Sequence, residues 1–323
     1  MPVTMLHCYS YCLTTANKEM LGVERDIINL VRVEGPLTGL EIKKAIDADN
    51  LVVWKTCKAS RKLQVRVSGK RYLRLDRHVE GLARFSPSIL REFFTYSVVG
   101  LASDPDLLEK RRTVVVNRIC EISRFKLELA RQMVSDIMNE FGEDISENHQ
   151  ICFVIAGDIV YDMAHDVPRP ERSTGRLVRG SDIDLVAVVD DNLPDAYINR
   201  LDELIYQKKY RMLINPSINE EVDYKIKRLK LIREQAHFDN FKHMVASKIL
   251  QEGVLLYGSE CLYHNIKTIL RENGVLEKLH EFERTAKIFR ERAEESILLN
   301  DLDKAKVEEM HLFYSAEEFE EFE

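Results

Sequence analysis

The sequence predicts an α+β chain with a helical N-terminal part closed by a basic hairpin, a central sheet with flanking helices, and a helical C-terminal region. Three observations carry this. Residues 24–59 hold three short apolar-periodic segments separated by turn residues, followed by alternating runs. Two apolar strand runs, "ICFVIAG" and "DIDLVAVV", follow a long Glu/Lys/Arg/Leu-rich stretch over 107–141. From "KTILRENGVLEKLHEFERTAKIFRERAEESILL" onward the pattern is helical, with Gly274 as its break.

In chain order, "ERDIINLVRVE" at 24–34 spaces Ile27, Ile28, Leu30 and Val31 as a helix does, and Gly35-Pro36 ends it. Thr38 caps "GLEIKKAI", with Glu41 at the capping-box position. "NLVVWKTCKAS" is the third helical segment. In "LQVRVSGKRYLRL", Val65 and Val67 alternate with Arg66, and Leu73 and Leu75 with Arg74, around a Ser68-Gly69 turn. Three short helices and a basic hairpin resemble a winged helix-turn-helix domain, expected over 24–100. In that fold the third helix enters a groove of DNA and the hairpin lies along the backbone. By that resemblance Lys55, Lys58, Arg61, Lys62 and Arg66 face nucleic acid, and Lys70 with Arg71 sit at the wing tip near phosphates.

"FSPSILREFFTYSVVGL" reads as a connecting helix with Ser86 as cap and Pro87 in its first turn. "ASDPD", around Asp104 and Pro105, reads as a domain boundary. The long helix after it is expected to bury Val115, Ile119, Ile122 and Leu129. "ICFVIAG" is a buried strand ending at Gly157, "DIVYDMAH" the helix after it, and 166–179 a loop carrying Arg169, Arg172, Arg176 and Arg179.

Length, charge and cysteine content bound the function classes. A chain of 323 residues divides into two or three domains, expected at 24–100, 104–260 and 261–323. No apolar run approaches bilayer length and the N-terminus lacks the pattern of a secretion signal, so the expected location is cytoplasmic, with no membrane partner. Six cysteines without a repeated spacing predict reduced thiols; Cys8 and Cys12 beside His7 lack the second half of a metal site. The net charge of -7 hides a polarised distribution. From Arg32 to Arg77 twelve basic residues face five acids, whereas the C-terminus "SAEEFEEFE" is acidic and could fold over the basic region as a mimic of nucleic acid. His237, His243, His264 and His280 show no metal-binding spacing.

The chemistry is carried by "RGSDIDLVAVVDD". Residues i and i+2 of a strand share a face, so Asp182 and Asp184 lie side by side with Ile183 turned away. Carboxylates held that close repel unless a cation sits between them, and hard divalent ions such as Mg²⁺ are suited to oxygen ligands. "NEEVDYKIKRL" alternates around Asp223, with Val222, Tyr224 and Ile226 opposite; if that strand is adjacent, a three-carboxylate cluster results.

Together "FVIAGDIVYDMA", "GSDIDLVAVV" and "EVDYKI" resemble the nucleotidyltransferase superfamily of the DNA polymerase β type, over about residues 107–260, and "EGVLLYG" is similar to its later part. The resemblance implies a mixed sheet with flanking helices, two Mg²⁺ ions, and transfer of a nucleoside monophosphate from a nucleoside triphosphate with release of pyrophosphate. Asp182, Asp184 and Asp223 are then the metal-binding and catalytic carboxylates. Gly157, Asp158, Gly180 and Ser181 surround the nucleotide, with Gly157 beside the phosphates at a helix N-terminus. Two features depart from the pattern. Asp158 stands where Gly or Ser is usual, and the interval to Asp182 is long; Arg176 and Arg179 of that interval are the expected phosphate ligands. The alternative is a non-enzymatic, nucleotide-responsive DNA-binding regulator, and a third possibility is a toxin or defence protein modifying tRNA or a protein.

Overall fold

A computed structural model describes residues 20–142, 150–171, 173–299 and 307–314. The acidic tail and the Cys8/Cys12 pair lie outside the described residues. The fold is mixed α and β with several small sheets. No described helix is long and apolar enough to cross a membrane. Among the described residues two compact units form, and neither is one continuous stretch: those within 20–71, 86–117 and 288–314 make the first, and those within 72–85 and 118–287 the second. The boundary expected at Asp104-Pro105 therefore falls inside the first unit.

In the first unit, helix α1 covers residues 20–34 and buries Ile27, Ile28 and Val31. Strand β1 (Leu37–Thr38) leads into α2 (Gly39–Ala45), where the expected capping box forms: Glu41 N donates to Thr38 Oγ1 at 3.2 Å and Thr38 N to Glu41 Oε2 at 2.7 Å. Helix α3 (Asn50–Ala59) is capped by Asp49 and buries Leu51, Val52, Val53 and Trp54.

Strand β2 (Leu63–Val67) does not form the expected hairpin with the next strand, β3 (Tyr72–Leu75). It pairs antiparallel with β5 (Ser97–Leu101), giving a sheet of order β1-β5-β2, while β3 pairs with β4 (Ala83–Ser86). Burial decides the pairing. Val98 and Val99 of β5 are fully buried against β2, whereas Leu73 and Leu75 of β3 pack in the core of the second unit. Residues 97–101 are thus a strand, not the end of a helix. The helix before it, α4 (Ile89–Tyr96), is capped by Ser88, whose side chain accepts from Arg91 N; Ser86-Pro87 is a cis peptide and Pro87 stays outside the helix. A salt-bridged knot ties this unit: Arg71 meets buried Glu92 at 2.5 Å and Glu294 at 2.8 Å, and Arg290 meets Glu92 at 3.3 Å.

Helix α5 (Pro105–Phe141) is continuous as expected, its residues 105–117 grouping with the first unit and 118–141 with the second. Ile119 and Ile122 are buried, whereas Val115 and Leu129 are only half-buried.

The second unit is built on a mixed sheet of order β10-β9-β6-β11. Strand β6 (Ile151–Ala156) is antiparallel to β9 (Ile183–Val189) and to β11 (Val254–Gly258), and β9 is parallel to β10 (Val222–Arg228). All six residues of β6 are buried because both faces of the sheet are covered. Ile151, Phe153, Ile155, Ile183, Leu185, Ala187 and Val189 pack with α5 and with α6 (Asp195–Ile214). Cys152, Val154, Val186 and Val188 pack on the other face with α7 (Leu229–Gln235), α8 (Phe241–Glu252) and α9 (Glu260–Glu272), together with β3 and β4. Helix α10 (Val275–Leu299) follows the Gly274 break, and α11 (Val307–Phe313) closes the described chain, with Phe313 edge-on to Trp54 at 5.4 Å in the first unit.

Residues 166–179 are a β-hairpin, not an open loop: β7 (Pro168–Pro170) pairs with β8 (Leu177–Arg179). At its tip buried Glu171 accepts from the backbone N–H and hydroxyl of both Ser173 and Thr174, and these bonds outweigh burial, holding its carboxyl down at about 2. The helix expected over 158–165 is absent. A single 3-10 turn, Gly157–Ile159, precedes further turns in which Asp158 O accepts from both Tyr161 N and Met163 N. Asp162 takes a positive φ of 56°, which turns the chain so that Met163, Ala164 and His165 are buried.

Candidate metal and nucleotide site

Asp182, Asp184 and Asp223 converge. Strand β10 is the parallel neighbour of β9 with Asp223 opposite Asp184, and one oxygen from each of the three carboxylates lies within 4.8 Å of the others. Alternation along β9 puts Asp184 on the face that continues inward as Val186 and Val188, and Asp182 immediately precedes the strand. Asp182 and Asp184 are half-buried and Asp223 is exposed. Burial in the cleft, with the charges of Asp158 and Asp223, holds Asp182 above the usual carboxylate range against the pull of Arg169. Burial and the charges of Asp182, Asp158 and Asp223 raise Asp184 well above it, with Arg74 opposing.

Gly157 makes the site possible. Its φ of +71° is costly for other residues, and a Cβ there would stand 2.1 Å from Asp184 Oδ2. Gly180 is required for packing: its φ is +58° and a Cβ would meet His165 O at 2.0 Å.

Asp158 has two donors. The Tyr72 hydroxyl donates to Oδ1, and Ser181 Oγ donates to Oδ2 at 2.7 Å. Tyr72 in turn stacks on Tyr161, with ring centroids 4.1 Å apart. Ser181 and Asp158 thus bind each other, at the start of the strand that carries the aspartates. Gly157 opens a single 3-10 turn and not an α-helix, so the phosphate cradle expected there is reduced to that turn.

Arg176 and Arg179 are exposed and make no side-chain contact with the three aspartates; Arg179 takes part through its backbone, its N–H donating to Asn219 O at 3.0 Å and its C=O accepting from Lys126 Nζ at 2.7 Å. Of Arg169, Arg176 and Arg179, it is Arg169 that reaches the cluster. Its Nη1 lies 2.8 Å from Glu221, its Nη2 3.8 Å from Asp182, and its Nε donates to Gly180 O at 2.7 Å. Hairpin pairing selects it: Arg169 lies opposite Val178, a register that sequence spacing leaves open. Lys126 of α5 is ion-paired with Glu220 in full burial, and burial draws the lysine below and the glutamate above their ordinary values. Lys248 of α8 pairs with Glu252 and lies 5.9 Å from the Tyr161 ring centroid, with the charges of Arg74 and Asp184 acting on it. On the open side Lys209 of α6 reaches Asp223 at 3.3 Å.

In the first unit Arg61, Lys62 and Arg66 are exposed, and Lys55 and Lys58 of α3 are half-buried. Lys70 is exposed at the end of the 68–71 turn. Arg71 differs from expectation: its guanidinium is held by Glu92 and Glu294, so it is not a wing-tip phosphate ligand. Cys57 and Cys152 are buried and their thiols are pushed up to about 12, which makes them packing groups.

No family model matches the chain, and no curated protein matches it.

Proposed function

We propose that this protein is a divalent-metal-dependent nucleotidyltransferase that joins a nucleoside monophosphate from a nucleoside triphosphate to a hydroxyl acceptor, releasing pyrophosphate. One observation carries the reading: Asp184 and Asp223 stand opposite each other on two adjacent parallel strands, Asp182 immediately precedes the first of them, and an oxygen from each of the three lies within 4.8 Å of the others. The sequence resemblance to the DNA polymerase β type of nucleotidyltransferase assigns the same three residues.

The donor set suits Mg²⁺. All three groups are carboxylates, two of them half-buried and raised by burial and by the neighbouring carboxylate charges, and a hard cation relieves that repulsion. Asp182, Asp184 and Asp223 would hold it, two ions being the expectation from the resemblance. When bound, the metal neutralises charge on the phosphates and lowers the pKa of the attacking hydroxyl. The chain's own residues do the rest. Gly157 leaves space for the Asp184 carboxylate, Arg169 fixes Asp182 and Glu221, and the charges of Arg74 and Lys248 act at Asp184.

For the first unit the proposal is a winged-helix role in nucleic-acid binding. Three helices and the sheet order β1-β5-β2 support it, with β2 and β5 as the wing strands and residues 68–96 inserted between them. Lys55, Lys58, Arg61, Lys62 and Arg66 are the candidate phosphate contacts.

A second reading, a nucleotide-responsive regulator without catalysis, draws on Asp158, whose charge stands beside Asp184 and opposes a triphosphate. Incubation with labelled nucleoside triphosphates, Mg²⁺ and RNA, DNA, protein or small-molecule acceptors separates the two. Transfer of label that disappears in Asp182→Ala and Asp184→Ala supports the enzyme. Nucleotide binding with no transfer to any acceptor supports the regulator.

A further inference from the structure

The face of β10 that carries Asp223 continues into two lysines. Val222, Tyr224 and Ile226 pack in the core with α5 and α6, so Asp223, Lys225 and Lys227 turn to the other side of the sheet. Parallel register sets Asp223 beside Asp184, Lys225 beside Val186 and Lys227 beside Val188. The two lysines, two residues apart on one strand face, are roughly 7 Å from each other at their Cα atoms. Lys225 is exposed and makes no hydrogen bond or ion pair among the described residues. Lys227 is half-buried, and its Nζ donates to the neutral amide of Gln235 on α7 at 3.0 Å. Burial and the charge of Lys225 draw Lys227 down to about 8, and among the described residues no carboxylate opposes them. Asp223, the acid on the same face, is engaged by Lys209 at 3.3 Å. Past Lys227 the face closes, for Val188 is fully buried and packs with α7, α8 and α9.

We propose that Lys225, Lys227 and Gln235 form a subsite for the terminal oxyanion, a phosphate monoester or carboxylate, of a small hydroxyl-bearing acceptor, an inference that rests on the transferase reading and names the charge of its acceptor. Like charges held side by side call for a counter-ion: the aspartates call for a cation, and these lysines for an anion. A half-buried ammonium served by one neutral amide has lost hydration that nothing replaces, and an oxyanion restores it through charge-assisted hydrogen bonds. Lys227 has three donors and gives one to Gln235. The other buried lysines of this unit are treated differently, Lys126 being paired with Glu220 and Lys248 with Glu252. Sheet order decides which substrate the subsite serves. Gly157, where the nucleotide is expected, follows β6 on one side of β9, whereas Lys225 lies on β10 at the other side. The subsite therefore falls on the Asp223 side, away from the nucleotide. Lys225 follows Asp223 by two residues, so the reacting hydroxyl and the anionic group of the acceptor are roughly 7 Å apart. The closed end at Val188 suits a terminal group rather than a chain that runs on.

The experiment is calorimetric titration of the full chain with inorganic phosphate, in EDTA, at fixed ionic strength and near pH 7, where Lys227 still carries its proton. The expected result is saturable binding at one site, weakened at least tenfold by Lys225→Gln and by Lys227→Gln and unchanged by Lys110→Gln, an exposed lysine of α5. Lys225 is exposed, so its variant should keep the wild-type melting temperature and report on the anion alone. Glycerol phosphate should compete with phosphate, and glycerol should not. Phosphate should also bind when Mg²⁺ and a nucleoside triphosphate analogue with a non-cleavable α,β bridge are present at saturation. Absence of saturable binding, or binding indifferent to both lysines, overturns the proposal. So does displacement of phosphate by the analogue with Mg²⁺, which would hand the cations to the nucleotide. Lysine-dependent competition by an oligonucleotide without terminal phosphates, stronger than that of glycerol phosphate, overturns the small acceptor in favour of a polymer. Because phosphate binding is read without metal, the two readings fail separately. Lys225-dependent binding with no nucleotidyl transfer to any acceptor sinks the enzyme and keeps the anion subsite; transfer to uncharged acceptors that Lys225→Gln leaves unchanged, with no phosphate bound, does the reverse.

Discussion

Replacing Asp184 by Asn should make the metal-free protein more stable, the reverse of what most substitutions at a half-buried polar position do. The oxygens of Asp182, Asp184 and Asp223 lie within 4.8 Å of one another. Two unit charges at that separation repel by roughly 3.5 kcal/mol at an effective dielectric of about 20. The side chains of Asp182 and Asp223 are 37% and 60% exposed, so water and salt screen the repulsion to about 1–2 kcal/mol. The folded-state pKa values of Asp182 and Asp184 are raised, so the stability their protonated forms contribute is complete below the ordinary carboxylate range and lost as pH rises through the folded values. Above those folded values the metal-free wild type has lost it. Asn carries no charge at any pH.

The assay is calorimetric unfolding of wild type and Asp184→Asn in EDTA and in Mg²⁺, near neutrality and in mildly acidic buffer. In EDTA near neutrality the variant should melt about 2–6 °C higher, and the gap should close in acid. Saturating Mg²⁺ should reverse the order, since a ligand at a hundred times its Kd adds about 2.7 kcal/mol to the state that binds it. A variant no more stable than wild type in EDTA near neutrality would refute the electrostatic reasoning. An equal Mg²⁺ response in both proteins would refute the metal site.

Three further outcomes test other parts of the structure. Gly157→Ala should cost about 1–2 kcal/mol from its positive φ alone and, by displacing the Asp184 carboxylate, abolish the Mg²⁺-dependent rise in melting temperature. Lys126→Ala should destabilise by about 3–5 kcal/mol because it leaves Glu220 buried without its cation, whereas Lys126→Met with Glu220→Leu should recover most of that in urea unfolding. Glu171→Ala should cost about 1–3 kcal/mol and loosen the 168–179 hairpin in hydrogen exchange. The Glu171 contribution is present above the ordinary carboxylate range and is lost only as pH falls through about 2, so ordinary acid titration leaves the hairpin in place.

The parts legible in the sequence are those governed by local periodicity. Alternation around Asp182 and Asp184 and around Asp223 placed each carboxylate on its face, and the Thr38/Glu41 spacing gave the capping box, because i, i+2 and i, i+3 relations do not depend on distant partners. The misread parts are decided by competition across long separations. Strand β2 has an alternating neighbour in β3 close by, yet pairs with β5 about thirty residues on, because Val98 and Val99 bury completely there while Leu73 and Leu75 bury elsewhere. Arginine choice in the hairpin followed the same logic. Proximity in sequence to Asp182 favoured Arg176 and Arg179, whereas antiparallel pairing of β7 with β8 brings Arg169 to Asp182 and Glu221.

Asp158 shows how charge balance can be read from contacts where motif spacing cannot supply it. A fourth carboxylate beside three others adds repulsion, and its effect reaches both Asp182 and Asp184. Yet its two oxygens accept from Tyr72 and Ser181, hydroxyls that bring no positive charge. The negative charge is therefore held in place rather than neutralised. Arg169, Arg74 and Lys248 offset it from outside the cluster, and the remaining excess of negative charge lies among Asp182, Asp184 and Asp223. A site arranged in this way favours a divalent cation before it favours an anion. Nucleotide binding should accordingly follow metal binding, with affinity for a triphosphate measured in Mg²⁺ exceeding that in EDTA by far more than the modest factor that exposed surface charges would give.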